Sequence, residues 1–241
     1  MPHTNHDLRT RLEAMAEPAY RAFSERLQPG ARRPLLGIRI PELRRMAKQA
    51  VRSGEWKEWL DETLGDDTFE EALLRGLLIG MAPLPAEEAR QRLKAYIPTV
   101  DNWALCDITC SSFGPARKDT ADTWDFMQPY FADTTEYGQR FAAVLSLSHY
   151  VNAEYVDMVL ERLAAMRPSA YYAHMGVAWA LSVCFVKFPQ QTLRYLTESS
   201  IEPTTYRMTL QKILESRRTP ENCRVLIVGM RDELNRKKRS Y

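Results

Sequence analysis

The chain has 241 residues, of which 45% are hydrophobic and 27% charged, and its formal net charge is +2. These values are typical of a globular protein with a sizeable core, and no apolar run approaches the ~20 residues that cross a bilayer, so a membrane protein is excluded. The four cysteines form no Cys-x-x-Cys pair and the four histidines no His-x-x-x-His pair, so we expect free thiols, no metal and no cofactor.

Apolar residues recur at helical spacing, and no segment alternates with period two over six residues, so we predict an all-α fold. Thr68 and Glu71 have the spacing of a capping box, and Pro41 suits the first position of another helix. We predict helices, in chain order, at 8–27, 41–52, 56–64, 68–81, 85–96, from Trp103 onward, and then at 117–131, 137–151, 154–166, 171–188, 190–196, 205–217 and 220–235. The segment 171–188 is apolar nearly all round, which predicts a buried central helix. We expect one domain over 1–241, with frayed tails at 1–7 and 236–241.

Charge is distributed unevenly along the chain. Residues 1–60 carry 12 Lys and Arg against 7 Asp and Glu, 61–136 carry 6 against 15, and 137–241 carry 15 against 9. Two basic flanks around an acidic middle fit a concave surface that binds phosphates. Surface patterning without function explains the same counts equally well. The polar first eleven residues have no apolar signal region, so we expect a cytoplasmic protein.

The most unusual stretch follows Asp101, which we interpret as a helix N-cap. Trp103 and Asp107 are four residues apart and therefore share one helix face, whereas Leu105 and Ile108 are expected to face the core. An aromatic ring beside a carboxylate suits a site for a cation or a sugar. The alternative is a Trp packed under a neighbouring helix beside a structural Asp107.

The spacing of the unusual residues is close to a repeat. Trp103 and Arg140 are 37 residues apart, and Arg140 and Trp179 are 39 apart. Helix-pair repeats of HEAT or armadillo type are roughly 40–47 residues long, and equivalent positions in such a solenoid line one face. We therefore expect Trp103, Asp107, Arg140 and Trp179 to converge. From the residues alone, Trp179 would belong to the core, and Arg140 would be a solvated charge or pair with Glu136.

The most distinctive segment is 100–107, VDNWALCD. Four others accompany it in order: 36–44 (LGIRIPELR), 139–143 (QRFAA), 171–180 (YYAHMGVAWA) and 211–217 (QKILESR). In this order and spacing they resemble the AlkD-type DNA alkylation repair proteins, a family of HEAT-like-repeat alkylpurine DNA glycosylases. The resemblance covers essentially the whole chain.

The resemblance implies an α-solenoid of antiparallel helical pairs whose concave face binds duplex DNA. It implies a monofunctional glycosylase that removes cationic N3- and N7-alkylated purines without base flipping. Asp107 matches the catalytic carboxylate, Trp103 and Trp179 the aromatics on the deoxyribose, and Arg140 the arginine on the adjacent phosphate. Tyr20 is matched to an aromatic residue on the second helix of the family pattern, which contacts DNA. The connection that follows this helix, at 28–34, is longer here than in the family pattern.

Further arginines are candidates for phosphate contacts, although each is also an ordinary exposed residue: Arg39, Arg44, Arg45, Arg217 and Arg218. The expected partner is duplex DNA with alkylated purines, bound by a monomer in the cytoplasm at the nucleoid. One alternative is a non-catalytic HEAT-like-repeat protein that binds branched or damaged DNA. Another is a HEAT scaffold for protein partners, which predicts no basic groove.

Overall fold

The computed structural model describes residues 5–28, 30–61 and 67–239, and within these ranges every regular element is helical. The chain forms two compact units, 1–126 and 127–241. Unit 1 contains α1 (Asn5–Glu13), α2 (Pro18–Leu27), α3 (Ile40–Ser53), α4 (Trp56–Asp61), α5 (Phe69–Met81), α6 (Ala86–Tyr96), α7 (Trp103–Ser112), α8 (Pro115–Lys118) and nearly all of α9 (Thr120–Met127). Unit 2 contains α10 (Glu136–His149), α11 (Val156–Ala165), α12 (Tyr171–Lys187), α13 (Pro189–Glu198), α14 (Pro203–Glu215) and α15 (Glu221–Arg239).

Two of the predicted helices are wrong because each is interrupted. The predicted helix at 8–27 is two helices, since Pro18 has no backbone N–H and instead begins α2 in its first turn. The predicted helix at 117–131 is divided among α8, α9 and a 3-10 segment, Gln128–Ala132, in which Pro129 occupies the first turn. Proline positions therefore marked these breaks more reliably than the apolar spacing did.

The structure also shows where the first helix begins and where the last helix ends. Helix α1 begins at Asn5 and α15 continues to Arg239, so helical backbone extends into both segments predicted to be frayed. Residues 1–4 and 240–241, and the predicted helix end at Leu64, lie outside the described residues. No helix among the described residues combines the length and the apolar character needed to cross a membrane.

Alternate helices pack side by side in unit 1, where α5 lies between α3 and α7. Its start is the predicted capping box, in which the Thr68 hydroxyl accepts from the Glu71 amide and the Glu71 carboxylate accepts from the Thr68 amide. Gly76 and Gly80 of α5 face α7. A Cβ at Gly76 would lie 2.1 Å from Thr109 Oγ1, and one at Gly80 would lie 2.4 Å from the Ser112 carbonyl oxygen. Glycine at these two positions therefore lets the backbones of α5 and α7 approach closely.

Unit 2 has the same alternation, with α12 packed between α10 and α14. Helix α12 is buried along most of its length, as its apolar sequence predicts. Side-chain oxygens cap the N-termini of α10 and α14 in this unit. The Thr135 hydroxyl accepts from the Gly138 amide at the start of α10, and the Glu202 carboxylate accepts from the Thr205 amide at the start of α14.

Candidate functional site

Helix α7 presents one accessible stripe and buries the rest of its surface. Trp103, Asp107 and Ile108 are half-buried, and Ser111 is exposed, whereas the other six residues of the helix are buried. Trp103 and Asp107 thus share the open face of α7, as their spacing predicted. Ile108, which was predicted to face the core, is only half-buried, although it lies nearer to buried Leu105 than to Trp103 around the helix.

The N-cap of α7 is Asn102, so the assignment of Asp101 was wrong. The Asn102 side-chain oxygen accepts from the Leu105 amide at 3.1 Å, the bond that an N-cap supplies. Asp101 is buried and has a different role. Its carboxylate pairs with the Arg33 guanidinium at 3.0 Å and accepts from the Arg32 amide at 3.2 Å. Asp101 therefore attaches the basic connection before α3 to the start of α7.

The indole ring of Trp103 contacts α2 through its N–H edge. Its indole Nε1 donates to the Leu27 carbonyl oxygen at 3.2 Å. Trp103 and Tyr20 both line a cavity of about 150 Å³, together with Leu27 and, from α7, Ile108. The structure therefore brings the sequence-predicted Tyr20 and Trp103 to one place.

Sequence reasoning missed Glu70, which also lines this cavity and is only 1% exposed. Its carboxylate accepts from three consecutive backbone amides, Leu36 at 3.0 Å, Gly37 at 2.8 Å and Ile38 at 3.1 Å. Gly37 has φ of 91°, a left-handed conformation that favours glycine. The only sequence signals were the glycine in the 36–44 segment and an acidic residue beside the capping box. Glu70 thus fixes this loop, and the Gly37 carbonyl oxygen in turn accepts from the Glu17 amide just before α2 at 3.2 Å.

In unit 2, Trp179 is 37% exposed although α12 is otherwise largely buried. It follows Tyr171 and Met175 at four-residue steps, and these three side chains are exposed, half-buried and exposed along one line of the helix. The interpretation of Trp179 as a core residue is therefore wrong. An apolar stripe that reaches the surface is invisible to hydropathy when every face of the helix is apolar.

Arg140 is buried, with 4% of its surface exposed, so the expectation of a solvated arginine is wrong. Its Nη1 donates to the Tyr172 carbonyl oxygen at 2.8 Å, and its guanidinium lies 6.0 Å from the centre of the Tyr172 ring. Glu136, one turn earlier on α10, accepts from the Tyr172 amide at 2.7 Å. A Cβ at Gly176 would lie 3.0 Å from Arg140 Cγ. The start of α12 is thus attached to α10 through both side chains.

The other predicted phosphate contacts differ in their surroundings. Arg39 is exposed, pairs with Glu17 at 3.0 Å and lies 4.8 Å from the centre of the Tyr20 ring. Arg44 donates to the Ser112 hydroxyl at 2.7 Å, and Arg45 pairs with Glu42 at 2.5 Å. The two arginines after α14, Arg217 and Arg218, are exposed. Within the described ranges, no carboxylate pairs with either of these two.

In the part of the chain that the structure describes, no three His, Cys, Asp or Glu side chains are placed to hold a metal ion together. Among the described residues, Cys106, Cys110 and Cys184 are buried and form no disulfide, and burial raises the pKa of the Cys184 thiol to about 12. A cavity of about 470 Å³ in unit 2 is lined in part by Arg162 and Arg167 and not by the predicted site residues.

Comparison with known proteins agrees with the resemblance seen in the sequence. A search of curated proteins gives no match to this chain. The family model described as DNA alkylation repair enzyme matches residues 8–213, a range that includes Tyr20, Trp103, Asp107, Arg140 and Trp179. Because the match covers most of the chain, the protein belongs to the family of DNA alkylation repair enzymes.

Proposed function

We propose that this protein is a monofunctional DNA glycosylase that hydrolyses the N-glycosidic bond of cationic N3- and N7-alkylated purines in duplex DNA, without base flipping. It does so on HEAT-like helical repeats, a proposal supported in each unit by the side-by-side packing of alternate helices. The observation that carries the proposal is the open face of α7, where Trp103 and Asp107 remain accessible on a helix that buries six of its ten residues.

A purine alkylated at N3 or N7 already carries positive charge, so it leaves the sugar without being protonated. The enzyme then needs no general acid, unlike glycosidases that use two carboxylates. It needs a group that stabilises the oxocarbenium ion developing at the sugar. Asp107 is half-buried, and DNA bound over α7 would desolvate it further, which strengthens that interaction. The same carboxylate orients the attacking water.

The aromatic residues supply the remaining stabilisation of the sugar. An indole face carries a negative quadrupole and therefore favours a deoxyribose that gains positive charge. Trp103 suits this role because the hydrogen bond to Leu27 fixes its ring while leaving it half-exposed. In unit 2, the exposure of Trp179 supports the same role for that residue. Neither role requires a lysine, and we expect no Schiff-base lyase activity.

Arg140 favours a second candidate function, a non-catalytic protein that binds branched or damaged DNA. The predicted phosphate contact is buried and bonded to the start of α12, so it contributes to the fold as well as, or instead of, to DNA binding. Exposed Arg217 and Arg218 then become stronger candidates for phosphate contacts in unit 2.

Base release from methylated duplex DNA distinguishes the two functions. Purified protein is incubated with duplex that contains 7-methylguanine or 3-methyladenine, and free bases are measured under single-turnover conditions. Release that depends on Asp107 supports the glycosylase. Salt-sensitive duplex binding with no release above the uncatalysed rate supports the binding protein, since phosphate contacts alone make affinity fall with salt.

A further inference from the structure

The cavity of about 470 Å³ in unit 2 is lined by none of the residues of the candidate site. Its walls come from the end of α11, the loop at 166–170 and the start of α10, together with the 3-10 segment Gln128–Ala132 and the loop that follows it. Pockets for small ligands enclose roughly 300–1,000 Å³, so this cavity is large enough to hold one. We refer to it as the unit 2 pocket.

Two arginines line the unit 2 pocket, Arg162 of α11 and Arg167 of the following loop, and both are exposed. Among the residues that the structure describes, no carboxylate pairs with either of them. Arg167 Nη1 donates to the carbonyl oxygens of Ala164 and Met166, at 2.9 and 2.8 Å, which fixes the side chain at the end of α11. Its Nε and Nη2 donate to no described residue, so they are available to a bound anion.

A buried amide lines the same pocket. Gln139, in the first turn of α10, is only 6% exposed. Its carboxamide makes no hydrogen bond to any residue within the described ranges. A buried polar side chain without a partner is rare, because burial removes the hydrogen bonds that it makes to water. An acceptor bound in the pocket would restore that hydrogen bond, so Gln139 indicates a ligand.

Of the described residues that line the pocket, Asp133 is the one with a carboxylate, and this group caps α10. Its Oδ1 accepts from the Thr135 amide at 2.6 Å and from the Thr135 hydroxyl at 2.7 Å. A Cβ at Gly138 would lie 2.5 Å from Asp133 Oδ2, so the carboxylate packs against the α10 backbone. Two arginines against one aspartate give these lining residues a net charge of +1. The pocket therefore favours an anion.

The donors and the walls of the pocket together indicate a phosphate ester. Two guanidinium groups and the Gln139 amide supply N–H donors, and Thr134 and Ser169, which carry hydroxyls, line the same space. Guanidinium groups match the oxygens of a phosphate in both geometry and charge. A free phosphate ion would fill only part of the cavity, whereas Phe131 and Met166 offer apolar contacts to the rest of an ester.

We propose that the unit 2 pocket is an additional binding site of this protein, which takes the phosphoryl group of a phosphate ester between Arg162, Arg167 and Gln139. The ester is either the backbone of DNA or a free nucleotide, since both present the same phosphate oxygens. The inference goes beyond the proposed function, and it depends neither on base release nor on Asp107.

The test uses the full chain and two phosphate esters. Calorimetry measures binding of deoxyadenosine monophosphate, and fluorescence anisotropy measures binding of a short undamaged duplex. Gln139→Met keeps the length of the side chain, removes its amide and changes no charge, whereas Arg162→Gln removes one charge. Each is expected to weaken binding of the ester that occupies the pocket by about tenfold. Asp133→Asn, which keeps the oxygen that accepts from Thr135, is expected to strengthen binding about threefold, because it removes a charge of the same sign as the phosphate.

Two controls separate the pocket from general effects. Arg194→Gln is matched to Arg162→Gln, because Arg194 is an exposed arginine of α13 and does not line the pocket. A loss of affinity that both variants share reflects general attraction to phosphates. Melting temperatures test the fold, and Gln139→Met is expected to melt at or above the temperature of wild type, because an apolar side chain needs no hydrogen-bond partner.

Two results support the site and identify its ligand. Nucleotide binding that both Gln139→Met and Arg162→Gln weaken assigns the pocket to a free nucleotide. Duplex binding that both variants weaken, without nucleotide binding, assigns it to the DNA backbone. The proposal is overturned if neither affinity depends on Gln139, or if Arg162→Gln loses no more affinity than Arg194→Gln. Binding of deoxyadenosine, which lacks the phosphate, as tightly as the monophosphate would overturn it as well.

Discussion

Helices α7 and α12 each present a tryptophan, and they do so by different means. Helix α7 is short, buries six of its ten residues and holds Trp103 by a hydrogen bond to α2. Helix α12 is long and almost wholly apolar, and its Trp179 is 37% exposed on a stripe that continues from Tyr171 and Met175. One tryptophan is fixed by a polar contact, and the other reaches the surface along an apolar line.

The difference suggests separate roles for the two helices in the proposed reaction. A carboxylate, Asp107, accompanies Trp103 on the accessible face of α7, whereas the residues that accompany Trp179 on its stripe are uncharged. Under the proposed function, α7 therefore supplies charge stabilisation in the transition state and α12 supplies a contact with the DNA. Four predictions, from the largest expected effect to the smallest, test the role of Asp107, the contacts that position α7 and α12, and the carboxylates that cap two neighbouring helices.

Asp107→Asn should lower base release by roughly 10²-fold, which corresponds to about 3 kcal/mol of transition-state stabilisation. The substitution keeps the shape of the side chain and removes its charge. Binding to abasic duplex should hold or improve slightly, because a carboxylate near phosphates is repulsive in the ground state. Single-turnover release of 7-methylguanine measures the effect, with Asp125→Asn, an exposed carboxylate on α9, as the matched control. Equal release rates at equal occupancy would remove Asp107 from the mechanism.

Gly80→Ala should destabilise the protein by about 2–3 kcal/mol, because the new Cβ meets backbone that cannot rotate away. It would lie 2.4 Å from the Ser112 carbonyl oxygen and 2.9 Å from Phe113 Cα. Gly229→Ala is the control, since a Cβ there has nothing within 4 Å and alanine favours the helix. Urea denaturation measures both. A Gly80→Ala variant as stable as wild type would show that α7 is not fixed by this contact.

Arg140→Ala should lower the free energy of unfolding by about 2 kcal/mol, because it removes a charged donor and leaves the Tyr172 carbonyl oxygen without that bond. Arg162→Ala, an exposed arginine on α11, should change stability by less than about 0.5 kcal/mol. Chemical denaturation of both variants measures these changes in the free energy of unfolding. Unchanged stability of Arg140→Ala together with weaker DNA binding would return Arg140 to the role of a phosphate contact.

The helical fold and the face shared by Trp103 and Asp107 could be predicted, because both depend on local spacing. Twelve of the described helices begin within two residues of a predicted start. The break before Pro18 and the one around Pro129 were missed because apolar spacing was given more weight than proline.

The environments of Arg140, Trp179 and Glu70 could not be predicted from local spacing, because each depends on contacts between helices or with a distant loop. Arg140 is buried by Tyr172 and Gly176, which follow it by more than thirty residues. Glu70 caps amides that precede it by a similar distance. A uniformly apolar helix gives no periodic signal for which side remains open, so only the family resemblance, and not the apolar pattern, indicated that Trp179 is accessible.

The smallest effect concerns two carboxylates, one in each unit, that cap helix starts. Burial disfavours the charged form of Glu71, but hydrogen bonds from Arg9 and from Thr68 outweigh burial and hold the Glu71 pKa below its ordinary value near 4.5. Burial likewise opposes the charge of Glu202, and the amides of Thr204 and Thr205 with the nearby His174 lower its pKa overall. A carboxylate whose pKa is lower in the folded state stabilises the fold above the unfolded pKa, and this contribution disappears as pH falls through the folded pKa.

Glu71→Gln should therefore lower the free energy of unfolding by about 1.5 kcal/mol at pH 7 and by progressively less below about pH 4.5. Glu202→Gln should follow the same course with a smaller loss, of about 0.5–1 kcal/mol, because Glu202 is only half-buried. Urea denaturation from pH 7 to pH 3 measures both, and a Glu71→Gln penalty that stays constant over this range would exclude its ionised form as the stabilising species.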